Sequence, residues 1–191
     1  GTRLSGGILK LRTADGTDAV TIDASQNVGI GDSVPLSVLH VQGDTTGAVQ
    51  VFISNIDGST NSSSDLVFGN WSGAIPTGTG NPGPGAKISA INTDSGTAAT
   101  DLVFSTYGSA TLSEAMRITS SAGNVGIGTS SPTDYDAGGD NLVVYDSGNS
   151  GISIIGGTSG TSAIHFGDGT SAASYRGYIN YSHSSDSFTF A

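Results

Sequence analysis

The sequence predicts an all-β protein, an elongated and intertwined homotrimeric β-fibre of short strands in repeated modules. Three observations point that way. First, one phrase occurs twice: Ala19-Val20-Thr21-Ile22 then Asn27-Val28-Gly29-Ile30-Gly31 and Pro35, and Ala115-Met116-Arg117-Ile118 then Asn124-Val125-Gly126-Ile127-Gly128 and Pro132. Ile22 and Ile118 are 96 residues apart, and Asn27 and Asn124 are 97 apart. A near-constant period marks an array of like units. Second, Gly (30), Ser (30) and Thr (21) fill 81 of the 191 positions, while strong helix formers are scarce, with one Met, one Glu and two Lys. Third, short β-branched and aromatic runs alternate with Asp-Gly, Asn-Pro, Ser-Gly and Ser-Pro dipeptides, which punctuate turns.

The strands follow in order. Near the start come Ile8–Arg12, Ala19–Asp23 and Leu39–Gln42, then Val49–Ser54, Leu66–Gly69 and Lys87–Asn92. Leu102–Thr106, Ala115–Thr119 and Leu142–Tyr145 continue the series. Ile152–Ile155, Ala163–Phe166, Tyr178–Tyr181 and Phe188–Phe190 complete it. Each is a β-branched or aromatic run bounded by turn residues. Only Ala110–Met116 carries a composition compatible with a helical turn. In Val-Gly-Ile-Gly, period 2 sets Val125 and Ile127 on one face, seeking an interior, and Gly126 and Gly128 on the other. The bare glycine face allows close backbone approach or a turn of positive φ.

The correspondence extends further. Leu66-Val67-Phe68-Gly69 aligns with Ile164-His165-Phe166-Gly167, Lys87–Ala90 with Tyr178–Tyr181, and Leu102-Val103-Phe104 with Phe188-Thr189-Phe190. Ile8–Arg12 has the phase of Leu102–Thr106. The chain therefore reads as two modules of a longer array, 1–113 and 114–191, the first starting and the second stopping mid-cycle. A long insertion at about 70–85 distinguishes the first module. Such short strands close no core alone. Three copies around an axis would share one interior and pair their edges with each other.

The charge of −10 comes almost wholly from Asp and leaves no basic patch, which argues against nucleic acid and anionic membranes as partners. There is no Cys, hence neither disulfide nor thiol chemistry. No run is long enough to span a membrane, and no signal peptide is evident. An opening on Gly1-Thr2-Arg3 without Met suggests a piece of something longer.

Met116-Arg117-Ile118, then Gly123-Asn124-Val125-Gly126-Ile127-Gly128-Thr129-Ser130-Ser131-Pro132, resembles the distal region of tailed-bacteriophage tail fibres. So do Val20–Pro35 with Val38-Leu39-His40-Val41, Ala86–Ala90, Asp101–Thr106, Phe166–Thr170, Tyr175–Ile179 and Ser182–Phe188. These phrases touch about three-quarters of the chain. The resemblance implies a homotrimeric fibre projecting from a virion toward the host surface, with other fibre or baseplate proteins and host polysaccharide as partners. In many such fibres a C-terminal chaperone is cleaved off, and nothing here matches one. The first copy departs from the pattern. It has Gln26 where Gly is usual before Asn, and Asp32-Ser33-Val34-Pro35 for Thr-Ser-Ser-Pro, which leaves the turn after Gly31 open.

Few motifs suggest chemistry. Gly126-Ile127-Gly128 lacks the third glycine and following helix of a dinucleotide site. Asp15-Gly16-Thr17-Asp18 is a turn without EF-hand spacing. His165, between Ile164 and Phe166, points away from their face, toward solvent or, less simply, toward a metal on a trimer axis. Asp134, Asp136 and Asp140 share a loop without the apolar setting that raises a catalytic carboxyl. They read as solvated or cation-binding. The expectation is a non-enzyme with no cofactor and no metal. The insertion carries the sole Trp, and Asn70, Trp71 and Ser72 are the candidate receptor contact, with Trp71 stacking on a sugar or packing at the trimer interface. Alternative readings are a tailspike-type polysaccharide depolymerase, a bacterial surface adhesin or filament subunit, and a shaft segment without receptor contact.

Overall fold

The computed structural model describes residues 7–43, 49–69, 85–95, 99–108, 111–171, 174 and 176–191. The described structure is all-β apart from short 3-10 turns, one of them at Pro132–Asp134. Contacts divide the chain into two compact units, Gly1–Ser54 and Asn55–Ala191.

The first unit holds one sheet in the order β1-β2-β3-β4: β1 Leu9–Arg12, β2 Asp18–Ile22, β3 Val28–Ile30 and β4 Leu39–Val41. β1 through β3 pair antiparallel, and β4 joins β3 parallel. The second unit holds a six-stranded sheet in the order β10-β9-β8-β7-β6-β5. Its strands are β5 Ser63–Gly69, β6 Gly85–Asn92, β7 Thr100–Gly108, β8 Thr111–Ile118, β9 Val125–Ile127 and β10 Leu142–Val144. A three-stranded antiparallel sheet follows, formed by β11 Thr161–Phe166, β12 Gly177–Ser182 and β13 Ser187–Phe190.

Positions that align in sequence occupy the same register. Ile22 pairs with Val28 and Val28 with Leu39; Ile118 pairs with Val125 and Val125 with Leu142. Leu66, Ile88 and Phe104 form one cross-strand row, and Ile164, Ile179 and Phe190 another. The irregularities match too. β1 and β2 lose register after Leu11 by one extra residue, Ala19, and β7 and β8 after Phe104 by Ala115. Each bulged alanine then accepts a backbone bond from the second glycine of its phrase, Gly31 to Ala19 and Gly128 to Ala115.

The glycines answer a steric demand. A Cβ on Gly126 would stand 2.4 Å from the Thr129 carbonyl oxygen, and one on Gly29 would stand 2.4 Å from that of Asp32. Gly31 and Gly128 have φ of +70° and +75°, the left-handed region, with the Gln42 and Tyr145 carbonyl oxygens about where a Cβ would go. The turn after Gly31 takes the same form as its counterpart. Asp32 accepts the Val34 N–H at 3.0 Å, as Thr129 accepts the Ser131 N–H at 3.2 Å. Pro35 and Pro132 are both buried.

Three expectations need correction. Val49–Ser54 and Ile152–Ile155 form no strand, because an extended run becomes a strand only when a ladder partner is present, and the chain pairs neither. The helical turn considered at Ala110–Met116 is absent from the described part of that stretch, which lies in β8, where pairing of Met116 with Phe104 overrides the propensity of Ala, Glu and Met. The close backbone approach expected at the glycines of Val-Gly-Ile-Gly is present, with Gly126 buried, while Ile127 is 41% exposed within one chain. The three-residue β3 and β9 are strands in their own right.

Candidate functional site

Asn70, Trp71 and Ser72 lie outside the described residues. What the described residues present instead is a set of open apolar sheet faces. Paired residues project to the same side of a sheet. In the six-stranded sheet, Leu66, Ile88, Phe104, Met116, Ile127 and Val144 therefore form one row across every strand. The neighbouring row runs Ser64, Ala90, Leu102, Ile118, Val125 and Leu142. Leu66, Leu102, Ile127 and Leu142 on this face are exposed. The sheet of the first unit repeats the arrangement, with Leu9, Ile22, Val28 and Leu39 in one row and Leu11, Val20, Ile30 and Val41 in the next. In the third sheet, Phe188 is 66% and Phe190 73% exposed.

The opposite face of the six-stranded sheet mixes polar and small apolar residues and is buried at its centre. Its central row is Asp65, Ser89, Val103, Arg117, Gly126 and Val143. Ser89, Val103 and Val143 are buried, as are Asp101 and Ser105 beside them on β7. Arg117 is held by three contacts. Its Nε donates to Glu114 Oε1 at 2.9 Å, Nη2 to Glu114 Oε2 at 2.6 Å and Nη1 to Asp101 Oδ2 at 2.7 Å. Asp101 Oδ1 accepts the Ser120 N–H at 2.8 Å. Burial pushes the Asp101 carboxyl upward, but the Arg117 and Ser120 bonds outweigh it, so its pKa lies below the ordinary carboxylate value. The Glu114 and Asp101 carboxylates push the Arg117 pKa up. Lys87 Nζ lies 3.3 Å from Asp65 Oδ2. In the first unit, Asp18 accepts from Lys10 and, at 2.7 Å, from Arg12 Nε, and both bonds hold its pKa down.

The other singled-out residues serve local structure. Asp136 accepts the Gly138 N–H at 2.9 Å, and Asp140 accepts from Asn124 Nδ2 at 2.8 Å. These two loop acids cap a turn and anchor a buried asparagine. Asp15 likewise caps its turn, accepting from the Thr13 hydroxyl and the Thr17 N–H, which lower its pKa to about 2. His165 is exposed, its ring 6.3 Å from that of Tyr178. His40 Nδ1 stands 2.5 Å from Asp32 Oδ2, and His183 Nε2 stands 2.9 Å from Ser162 Oγ. Among the described residues, no three His, Asp or Glu side chains converge as metal ligands.

The open faces were available to period-2 reading. Leu9 and Leu11, Val20 and Ile22, and Leu39 and Val41 all alternate. What the strands alone do not tell is that the alternating faces fall in register. The chemistry of these faces is that of burial, since an uncovered apolar sheet face gains by meeting another. No family model matches the chain, and no curated protein matches it.

Proposed function

We propose that this chain is a segment of a tailed-bacteriophage tail fibre, working outside the cell on the virion as a homotrimer that spaces and presents a host-recognising surface. The observation that carries the reading is the pair of apolar rows left open on the six-stranded sheet. A sheet that leaves Leu66, Leu102, Ile127 and Leu142 of an apolar face exposed is completed by another surface, and copies of itself supply one without a second gene product. The ordered phrases from Met116 to Pro132 and from Val20 to Pro35 support a fibre as the setting.

In this account the sheets provide length and rigidity. The insertion at about 70–85, with Asn70, Trp71 and Ser72, provides the receptor contact, and the ligand is host-surface polysaccharide. Three identical contacts per fibre, and several fibres per particle, turn weak sugar binding into firm attachment. Other fibre or baseplate proteins hold the segment to the particle. Adhesion needs no cofactor and no bond cleavage. The commitment of Asp136 and Asp140 to structural bonds supports adhesion over depolymerisation.

The test is retention of the labelled chain on immobilised bacterial surface polysaccharides. The wild type binds at least one, Trp71→Ala loses retention, and no reducing ends appear. Retention unchanged in Trp71→Ala would leave a shaft segment without receptor contact. Released reducing ends would establish the depolymerase instead.

A further inference from the structure

We propose that residues 151–156 are a donor strand, which one copy of this chain adds to the outer edge of β13 in a second copy. The proposal rests on the trimeric reading above and deepens it by naming the segment and the edge that join.

The segment reads Gly151-Ile152-Ser153-Ile154-Ile155-Gly156. Three isoleucines between two glycines have the composition of a strand. Yet the segment belongs to no strand, and among the described residues none of its backbone groups bonds to another backbone group. Ile155 is 89% exposed. Backbone N–H and C=O groups beside bulky apolar side chains form a ladder readily when a free edge is offered. Residues 49–54 have the same character, β-rich in sequence, exposed at Val51 and Phe52, and without a backbone partner among the described residues. Two such segments in one chain argue for a device rather than an accident of one loop.

The side chains show how the segment is held for donation. Ile152 and Ile154 line an open groove of about 280 Å³ together with Ile164, Ile179 and Phe188 of the three-stranded sheet. The segment thus rests beside the apolar face of its own sheet while its backbone stays free.

The choice of edge follows from length and polarity: β4 and β10 are only three residues long, and β11 carries His165 between its apolar residues. β1 carries Lys10 and Arg12 and β5 carries Asp65, and charged side chains on an edge discourage strand addition. β13 reads Ser-Phe-Thr-Phe, with no charge and no proline, and it pairs with β12 without a bulge. It ends its sheet, so its outer ladder groups face away from β12. Isoleucines added there would extend the apolar rows of Phe188 and Phe190. Under the trimeric reading, each copy gives to the next and the third returns to the first.

The experiment compares the wild-type chain with Ser153→Pro by light scattering and follows amide exchange of the wild-type assembly. Proline removes the Ser153 N–H and blocks a central ladder bond, and that N–H has no backbone partner among the described residues of the single chain. The expected result is a wild type at three times the chain mass, slow exchange at Ile152–Ile155, and Ser153→Pro at the mass of one chain. A trimeric wild type whose Ile152–Ile155 amides exchange as fast as an unstructured peptide overturns this inference and leaves the trimeric reading standing. So does a trimeric Ser153→Pro with unchanged thermal midpoint. A wild type that stays monomeric overturns both. The exchange measurement needs no variant, so misfolding of Ser153→Pro does not blunt the test.

Discussion

Gln26 and Gly123 carry one backbone geometry on two different residues. Each precedes the asparagine of its phrase, with φ of +69° and +71° respectively. A residue with a Cβ pays about 1 kcal/mol for that region, and glycine does not. Gln26→Gly should therefore stabilise its unit by roughly 0.5–1 kcal/mol, read as a higher denaturation midpoint. Gly128→Ala should do the reverse and cost more, about 2–3 kcal/mol, since φ strain adds to a backbone clash. Arg117 supplies the electrostatic case. Arg117→Ala leaves Asp101 buried without its cation and should cost about 3 kcal/mol. Asp101 has a folded pKa below its ordinary 3.8. Its contribution is thus complete above the unfolded value and is lost as pH falls through the lower folded one. Thermal melts of wild type should weaken below about pH 4, and the Arg117→Ala melts should show less of that acid dependence. At this scale the sequence was partly legible. The need for glycine at 126 and 128 could be read from Gly-x-Gly. That Gln26 would accept a glycine geometry, and Asp32 fill the place of Thr129, could not, because side-chain substitutes for a turn leave no fixed signature.

At the scale of elements, strands with good alternation were legible and those needing a partner were not. Leu66–Gly69 and Lys87–Asn92 lie within β5 and β6. Val49–Ser54 and Ile152–Ile155 have equal β propensity but no ladder within the chain. Propensity reports what a backbone tolerates, whereas a strand is a property of two segments. The bulges at Ala19 and Ala115 were equally invisible, since nothing in alanine itself asks for an extra residue. The open face yields a prediction of its own. Leu66 and Ile127 are exposed in one chain, so Leu66→Ser or Ile127→Ser should shift single-chain stability by about 0.5 kcal/mol or less. If copies cover the face, the same changes should cost on the order of 2 kcal/mol per chain in association. Denaturation midpoints measured over a hundredfold range of concentration separate the two effects.

For the whole molecule, the composition already indicated that cores would be thin, with so much Gly and Ser. Few large side chains are buried among the described residues: Val103 and Val143 are the buried hydrophobics, beside Thr21, Ser89, Asn124 and Pro132. The all-β class was legible from turn punctuation and the lack of helix formers. The candidate contact at Asn70–Ser72 rests on sequence alone. Each chain bears a charge of −10, so assembling three concentrates like charge, and added salt should strengthen association by screening it. The most direct test of the central claim is the solution mass of the chain, measured by light scattering after size exclusion. The account predicts three times 18.9 kDa, with early elution from an extended particle. A well-folded species of 18.9 kDa that persists at high concentration would contradict it.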